Sequence, residues 1–146
     1  MIEASGKEKL KMEKKEVSTL KAPQAIGPYS QAVVVGDFVF TSGVIPVEAK
    51  SGIIPSTVDE QIMRCLHNLR EVLVAAGSDQ DHVVKTTCFL KDLKNFDRFN
   101  ELYGKMFHNA PLPARSCVQV AELPKNVELE VEAIALVNPD APPTEV

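Results

Sequence analysis

Apolar residues recur at helical spacing in two segments of the chain. In the first segment they are Ile62, Leu66, Leu69, Leu73 and Ala76, and in the second they are Phe96, Phe99, Tyr103 and Met106. Thr57 and Glu60 form a capping box before the first segment, and Gly77 provides its stop. The second segment is expected to end before Pro111, because proline cannot continue a helix. The pattern therefore predicts two helices.

Runs rich in valine, isoleucine and phenylalanine predict six strands around these helices. The predicted strands cover residues 18–21, 31–35, 38–42, 83–90, 112–120 and 128–137. Gly36 and Asp37 suit a tight turn between the second and third strands, since glycine tolerates positive φ. The predicted order is β-β-β-α-β-α-β-β, which indicates an α+β domain.

The last two predicted strands carry the residues of greatest chemical interest. Side chains alternate between the faces of a strand, so Arg115 and Cys117 share one face. If the two strands pair as an antiparallel hairpin with their apolar sides together, Arg115 shares that face with Glu130 and Glu132. A bulge would shift this register, so the argument predicts a shared face and not a contact. An arginine beside a carboxylate is a candidate site for an anionic substrate, and a surface ion pair is the alternative.

The predicted sheet has apolar residues on both of its faces. Val83 and Val84 point to opposite faces, as do Ile134 and Ala135. Two helices can cover only one face of such a sheet. Self-association is the simplest way to cover the other, so the sequence predicts that the protein is not a monomer.

Composition limits the class of protein. The chain has 146 residues and is 45% hydrophobic, which suits one globular domain with a real core. A net charge of −4 argues against broad binding to nucleic acid or anionic membranes, and the longest apolar run is too short to span a bilayer. The chain has an odd number of cysteines, Cys65, Cys88 and Cys117, which favours a reducing compartment over a disulfide framework. These cysteines and the three histidines form no metal-binding pattern in the sequence.

The two ends of the chain have a different composition from its middle. Residues 1–16 mix five lysines with four glutamates, which predicts a solvated, disordered extension and fits neither a secretory signal nor a mitochondrial presequence. Residues 139–146 form a proline-rich tail that is not expected to pack. The predicted domain therefore covers residues 17–138. We expect a cytoplasmic location, with a mitochondrial one left open.

Several uncommon motifs occur together in a fixed order along the chain. They are AIGPYSQA at 25–32, TSG at 41–43, VKTT at 84–87, LPARSC at 112–117, VAELPK at 120–125 and ELEVEA at 128–133. Together they closely resemble the reactive-intermediate imine deaminase (RidA) family, over about residues 17–137. The resemblance implies a chorismate-mutase-like (bacillus type) α+β fold, with a mixed sheet backed by two helices, that forms homotrimers with sites in the clefts between subunits.

The resemblance also implies an activity. Relatives hydrolyse short 2-imino acids such as 2-iminobutanoate and 2-iminopropanoate, or their enamine tautomers, which pyridoxal-phosphate enzymes release. The products are a 2-keto acid and ammonia, and neither cofactor nor metal is needed. The alternative is a non-catalytic module of the same fold that binds a small carboxylate. An RNA-directed role, attributed to some relatives, is disfavoured by the acidic balance of the chain.

The resemblance places two residues at the centre of the reaction. Arg115 is expected to hold the substrate carboxylate through the planar fork of its guanidinium, beside the backbone near Cys117. Glu130 is expected to move protons for the attacking water, with Glu132 as the alternative acid. Cys117 has no flanking base in the sequence, so we expect it to line the pocket or pack and not to act as a nucleophile.

The other expected substrate-binding residues are Tyr29, Ser42, Gly43 and Asn100. Each also has an ordinary structural explanation: a packed turn aromatic for Tyr29, a turn for Ser42 and Gly43, and a helix-surface amide for Asn100. Val44 and Pro46 depart from the glutamine and glycine more usual in the family. This departure bears on loop shape and substrate preference more than on the chemistry.

Overall fold

The computed structural model describes residues 12–142 as a six-stranded sheet with two α-helices. The strands are β1 (Lys14–Val17), β2 (Ala32–Val35), β3 (Phe38–Thr41), β4 (Val83–Leu90), β5 (Ala114–Gln119) and β6 (Leu129–Leu136). The helices are α1 (Val58–Ala75) and α2 (Phe96–Met106), and three short 3₁₀ turns lie at Gln80–His82, Leu93–Asn95 and Pro124–Asn126. The predicted α+β class, the element order and both helices are confirmed.

Both predicted helix boundaries of α1 have a local cause. The hydroxyl of Thr57 accepts a hydrogen bond from the backbone N–H of Glu60 at 3.2 Å, so the N-cap forms as predicted. Gly77 adopts φ +81°, the left-handed conformation that ends a helix. The buried stripe of α1 packs on the sheet and consists of Ile62, Cys65, Leu66, Leu69, Val72 and Leu73.

The first strand lies earlier in the chain than predicted. The prediction of a strand at 18–21 is wrong, because β1 is Lys14–Val17, paired antiparallel with β2. Three residues assigned to the charged extension therefore belong to the sheet. Only Val17 of β1 is buried, so this edge strand has no hydrophobic pattern that sequence could detect. Residues 1–11 and 143–146, which make up most of the predicted extension and the end of the predicted tail, lie outside the described residues.

The last two strands do not form the predicted hairpin. The strand order is β1-β2-β3-β6-β4-β5, so β4 lies between β6 and β5. β5 pairs parallel with β4, and β6 pairs antiparallel with both β3 and β4. The register aligns Arg115 with Thr86, and Thr86 with Ala133. Directly paired residues point to the same face, so Arg115 lies on the opposite face from Glu130 and Glu132, and the predicted shared face is wrong.

The two faces of the sheet differ in what covers them. Both helices and the hydrophobic core lie on the face of Val39, Cys88, Val131 and Ala135, here called the helix-covered face. The other face, here called the open face, presents Phe38, Phe40, Val118 and Leu136, which are between 37% and 45% exposed, together with Glu130 and Glu132. The predicted apolar character of both faces is thus confirmed. Neither α1 nor α2 is long and apolar enough to cross a membrane.

Candidate active site

Arg115 is held on the helix-covered face by three aromatic rings of α2. Its guanidinium carbon lies 4.9 Å from the ring centre of Tyr103, 5.5 Å from that of Phe96 and 5.9 Å from that of Phe99. These three side chains, here called the aromatic box, attract the cation through their ring faces. Between residues 12 and 142, no carboxylate forms an ion pair with Arg115 and no group accepts a hydrogen bond from its guanidinium. The guanidinium therefore keeps its donors free for a ligand.

The backbone next to Arg115 lies at a free edge of the sheet. Within residues 12–142, strand β5 pairs with β4 alone, and the N–H of Val120 donates to the carbonyl of Leu90 on that side. Because backbone groups alternate in direction along a strand, the N–H of Cys117 points away from β4 toward the free edge. An N–H at an open edge close to an arginine can share a bound carboxylate with it, as the resemblance to the RidA family implies.

Glu130 lies on the open face, against the backbone that follows β3. Val44 exchanges two hydrogen bonds with Val131, at 2.8 and 3.1 Å, and this bridge places Gly43 beside Glu130. A Cβ on Gly43 would come within 2.6 Å of the carboxyl carbon of Glu130, closer than real Cβ contacts occur. A glycine is therefore required at this position for the carboxylate to sit where it does.

The electrostatic surroundings of Glu130 favour its protonated form. Partial burial raises the pKa of Glu130 above its ordinary value, and the nearby carboxylate of Glu132 raises it further. A carboxyl group with a raised pKa is a stronger base than an ordinary glutamate and can both take and return a proton. The raised pKa and the position against Gly43 favour Glu130 as the acid–base group.

A cavity of about 240 Å³ opens between the loop before β2 and the loop after β3. Its walls include Tyr29, Ser42, Gly43 and Val44, so three of the predicted substrate-binding residues meet there. The hydroxyl of Ser42 donates to the carbonyl of Ser30 at 2.6 Å, and that of Tyr29 accepts from the N–H of Ile26 at 3.2 Å. Both side chains thus also hold the loops together, which agrees with their structural alternatives.

Asn100 lies on α2, one turn after Phe96 and one turn before Tyr103. Its side-chain carbonyl oxygen is buried and has no hydrogen-bond partner in the described part of the chain. A buried acceptor without a partner is costly, which suggests a donor from a ligand or from another subunit. Asn100 is therefore more than a solvent-facing amide.

The cysteines do not have the properties of nucleophiles or metal ligands. Burial raises the pKa of Cys117, and it raises that of Cys88 to about 12, so both remain thiols at neutral pH. Cys65 is fully buried and its thiol donates to the carbonyl of Val44 at 3.1 Å. Among residues 12–142, no cluster of three histidine, cysteine or acidic side chains could hold a metal ion.

The structure brings together some of the predicted site residues and separates others. Tyr29, Ser42 and Gly43 line one cavity, and the carboxyl group of Glu130 lies against Gly43. Arg115 and Cys117 lie on β5, two strands away from β6 and facing the other side. Sequence reasoning missed the aromatic box, although Phe96, Phe99 and Tyr103 follow the i, i+3, i+7 spacing of one helix face. It interpreted that spacing only as the mark of a helix.

The architecture is that of a small α+β domain whose helices cover one face of the sheet. Comparisons with known proteins agree with this class of fold. The chain belongs to the family described as Endoribonuclease L-PSP, which matches residues 19–137. It is 48% identical over 124 residues to the 2-iminobutanoate/2-iminopropanoate deaminase of Escherichia coli strain K12, covering 84% of this chain and 97% of that protein. The resemblance to the RidA family is confirmed.

Two solved structures show the same fold. Escherichia coli TdcF with bound serine has a TM-score of 0.81 and 49% sequence identity, covering 84% of this chain and 98% of that one. Yeast Mmf1 has a TM-score of 0.82 and 41% identity, covering 86% of this chain and all of the other. The fold predicted from the family resemblance is therefore confirmed.

Proposed function

We propose that this protein hydrolyses short 2-imino acids, such as 2-iminobutanoate and 2-iminopropanoate, to 2-keto acids and ammonia. The observation that carries the proposal is Glu130: a half-buried carboxyl group with a raised pKa, held against Gly43. The names of relatives at about half identity support the same activity. The protein is thus an enzyme that hydrolyses a C–N bond, and the reaction requires no cofactor.

In this mechanism, Arg115 binds the substrate carboxylate, together with the N–H of Cys117. Water adds to the imine carbon while Glu130 takes one proton from it and passes a proton to the nitrogen. The resulting carbinolamine collapses, its C–N bond breaks and ammonia leaves, so that imine and water give ketone and ammonia in balance. Tyr29, Ser42, Gly43 and Asn100 complete the substrate-binding site.

One chain alone cannot place Arg115 and Glu130 on the same small molecule. Their strands are two positions apart, roughly 10 Å across the sheet, and their side chains point to opposite faces. A site that uses both therefore needs Arg115 from one copy and Glu130 from another. A homotrimer with sites between subunits, as the family resemblance implies, satisfies this requirement and covers the apolar open face.

A non-catalytic carboxylate-binding module would need Arg115 but would have no use for an acid of raised pKa. RNA cleavage, which the family description suggests, would call for a basic surface, and the net charge of −4 gives no support to one.

The three free cysteines suit a reducing compartment such as the cytoplasm.

A coupled assay tests the proposal directly. Threonine dehydratase generates 2-iminobutanoate from threonine, and semicarbazide traps whatever imine survives. The wild-type protein should lower the rate of imine trapping and speed the release of 2-ketobutanoate, while Glu130→Gln should do neither. Equal trapping with and without the wild-type protein would exclude the activity, and retained binding of 2-ketobutanoate would then favour the binding module.

A further inference from the structure

Arg115 is a half-buried cation without a carboxylate partner in the described chain, and this arrangement needs a cause. Arginines inside proteins ordinarily meet an acid that fixes the orientation of the guanidinium. Here an acid would compete with the substrate carboxylate for the same donors. Ring faces can hold the cation without occupying its N–H groups. The aromatic box has the properties needed for that task.

The box is itself fixed to the strand next to Arg115. The hydroxyls of Tyr103 and Thr86 are hydrogen-bonded at 2.7 Å, and both side chains are buried. Thr86 is the direct register partner of Arg115 on β4. The ring of Tyr103 also packs at 5.4 Å from Phe99 and 4.6 Å from Phe107. The ring nearest the guanidinium is thus held from two sides, by β4 and by α2.

We propose that Phe96, Phe99 and Tyr103 are positioning residues that hold the guanidinium of Arg115 ready for the carboxylate of the substrate. The proposal rests on the proposed function for the identity of that ligand. Preorganisation lowers the ordering cost of binding, so the box should affect the affinity for carboxylates and leave the hydrolytic step little changed. Tyr103 and Thr86 act on the substrate only through Arg115.

The test compares a ring that faces Arg115 with a buried core side chain outside the box. Tyr103→Leu removes the nearest ring, and we expect about tenfold weaker binding of 2-ketobutanoate, with a similar rise in KM and kcat within about twofold. Tyr103→Phe keeps the ring and should restore affinity to within about threefold of wild type. Leu69→Val is the matched control, because it shortens a fully buried core side chain on α1 that is not part of the box. It should lower thermal stability without weakening 2-ketobutanoate binding.

The outcomes separate the box from ordinary packing. Unchanged affinity in Tyr103→Leu, or equal losses in Tyr103→Leu and Leu69→Val, would overturn the proposal. If Tyr103→Leu does not fold, Phe96→Leu removes a half-buried ring 5.5 Å from the guanidinium carbon and gives the same comparison. Binding of uncharged 2-ketobutanamide should not respond to any of these changes, and a parallel loss there would also count against the proposal.

The same measurements keep this proposal distinct from the proposed function. If the wild-type protein hydrolyses no imine but its binding of 2-ketobutanoate depends on the box, the proposed activity is wrong and the role of the box is retained. If the wild-type protein hydrolyses the imine but Tyr103→Leu does not change KM, the role of the box is wrong and the proposed activity is retained.

Discussion

The most informative single residues are the two glutamates of β6. They lie two positions apart on the open face, and the carboxyl group of Glu130 lies against Gly43 and has a raised pKa. We predict that Glu130→Gln lowers kcat by about two to four orders of magnitude, because the amide cannot accept the proton. Product affinity should change much less, since Arg115 still binds the carboxylate. Turnover and 2-ketobutanoate binding, with circular dichroism as the check on folding, measure both effects.

Glu132→Gln is the matched control and has an effect of its own. The carboxylate of Glu132 raises the pKa of Glu130, so its removal should lower that pKa. The base must be deprotonated to act, and activity therefore falls as pH drops through this pKa. We predict that the acid limb of the kcat/KM profile moves to lower pH in Glu132→Gln, with little loss at pH 8. A large loss confined to Glu132→Gln would assign the catalytic role to the other acid.

Gly43 gives a prediction that depends only on space. A Cβ here would overlap the carboxylate of Glu130, so Gly43→Ala must displace that group or the loop. We expect a loss in kcat of at least about tenfold with the fold retained, because a small displacement of a catalytic group is costly. Gly52→Ala is a useful comparison for the loop, since no atom lies within 4 Å there, although its φ of +74° adds backbone strain. Normal turnover in Gly43→Ala would show that the contact is unimportant.

Motif resemblance found these residues, but their positions in space could not be read from the sequence. Alternation along a strand assigned Arg115 and Glu130 each to a face of its own strand. Relating the two faces required knowing which strands are neighbours. The assumed hairpin supplied the wrong neighbour, and one wrong pairing was sufficient to put the two residues on the same side.

At the scale of elements, α1 fixes the loop that carries Gly43. Asn68 is buried, and its amide donates to the carbonyls of Ile45 and Val47 at 3.0 and 2.8 Å. We predict that Asn68→Ala lowers the free energy of unfolding by about 1–3 kcal/mol, because two carbonyls lose their donor. Turnover should also fall as the loop loosens. Arg70→Ala, an exposed change on the same helix, should alter neither denaturant midpoint nor rate.

Element boundaries were largely predictable where local chemistry sets them. The capping box at Thr57, the turn at Gly36 and the limits of β4 all follow from short-range signals that the sequence displays. β1 was misplaced because only Val17 in it is buried. Its existence depends on pairing with β2 and not on its own pattern, which a hydrophobic spacing argument cannot detect.

At the scale of the whole molecule, strand order is the feature that sequence patterns left open. Insertion of β6 between β3 and β4 joins segments that are far apart in the chain, and β5 must cross over to pair parallel with β4. Hydrophobic alternation reports which face is buried but not which strand is adjacent. The uncovered apolar face was nevertheless predictable, because two helices cannot cover both sides of six strands.

That open face gives a test of assembly. Phe40 is 41% exposed and lies among other apolar side chains of the face. We predict that Phe40→Lys converts the proposed trimer into monomers with little change in secondary structure, because a buried charge at a subunit interface is costly. Activity should be lost with the assembly. Sedimentation and far-ultraviolet circular dichroism measure the two effects, and a wild-type protein that stays monomeric at micromolar concentration would contradict the association.

Subunit mixing tests whether Arg115 and Glu130 of different copies share one site. Arg115→Ala and Glu130→Gln should each be nearly inactive alone. Each variant retains the residue that the other lacks, so a mixed trimer can contain an intact site between an Arg115 subunit and a Glu130 subunit. If the two variants are unfolded together in equal amounts and refolded, random assembly in a ring should restore about one quarter of wild-type activity. Mixing without unfolding should restore much less if subunits exchange slowly. If the two variants refold together into trimers without recovering activity, Arg115 and Glu130 must act within one chain. The proposal of a site shared between two subunits would then be wrong.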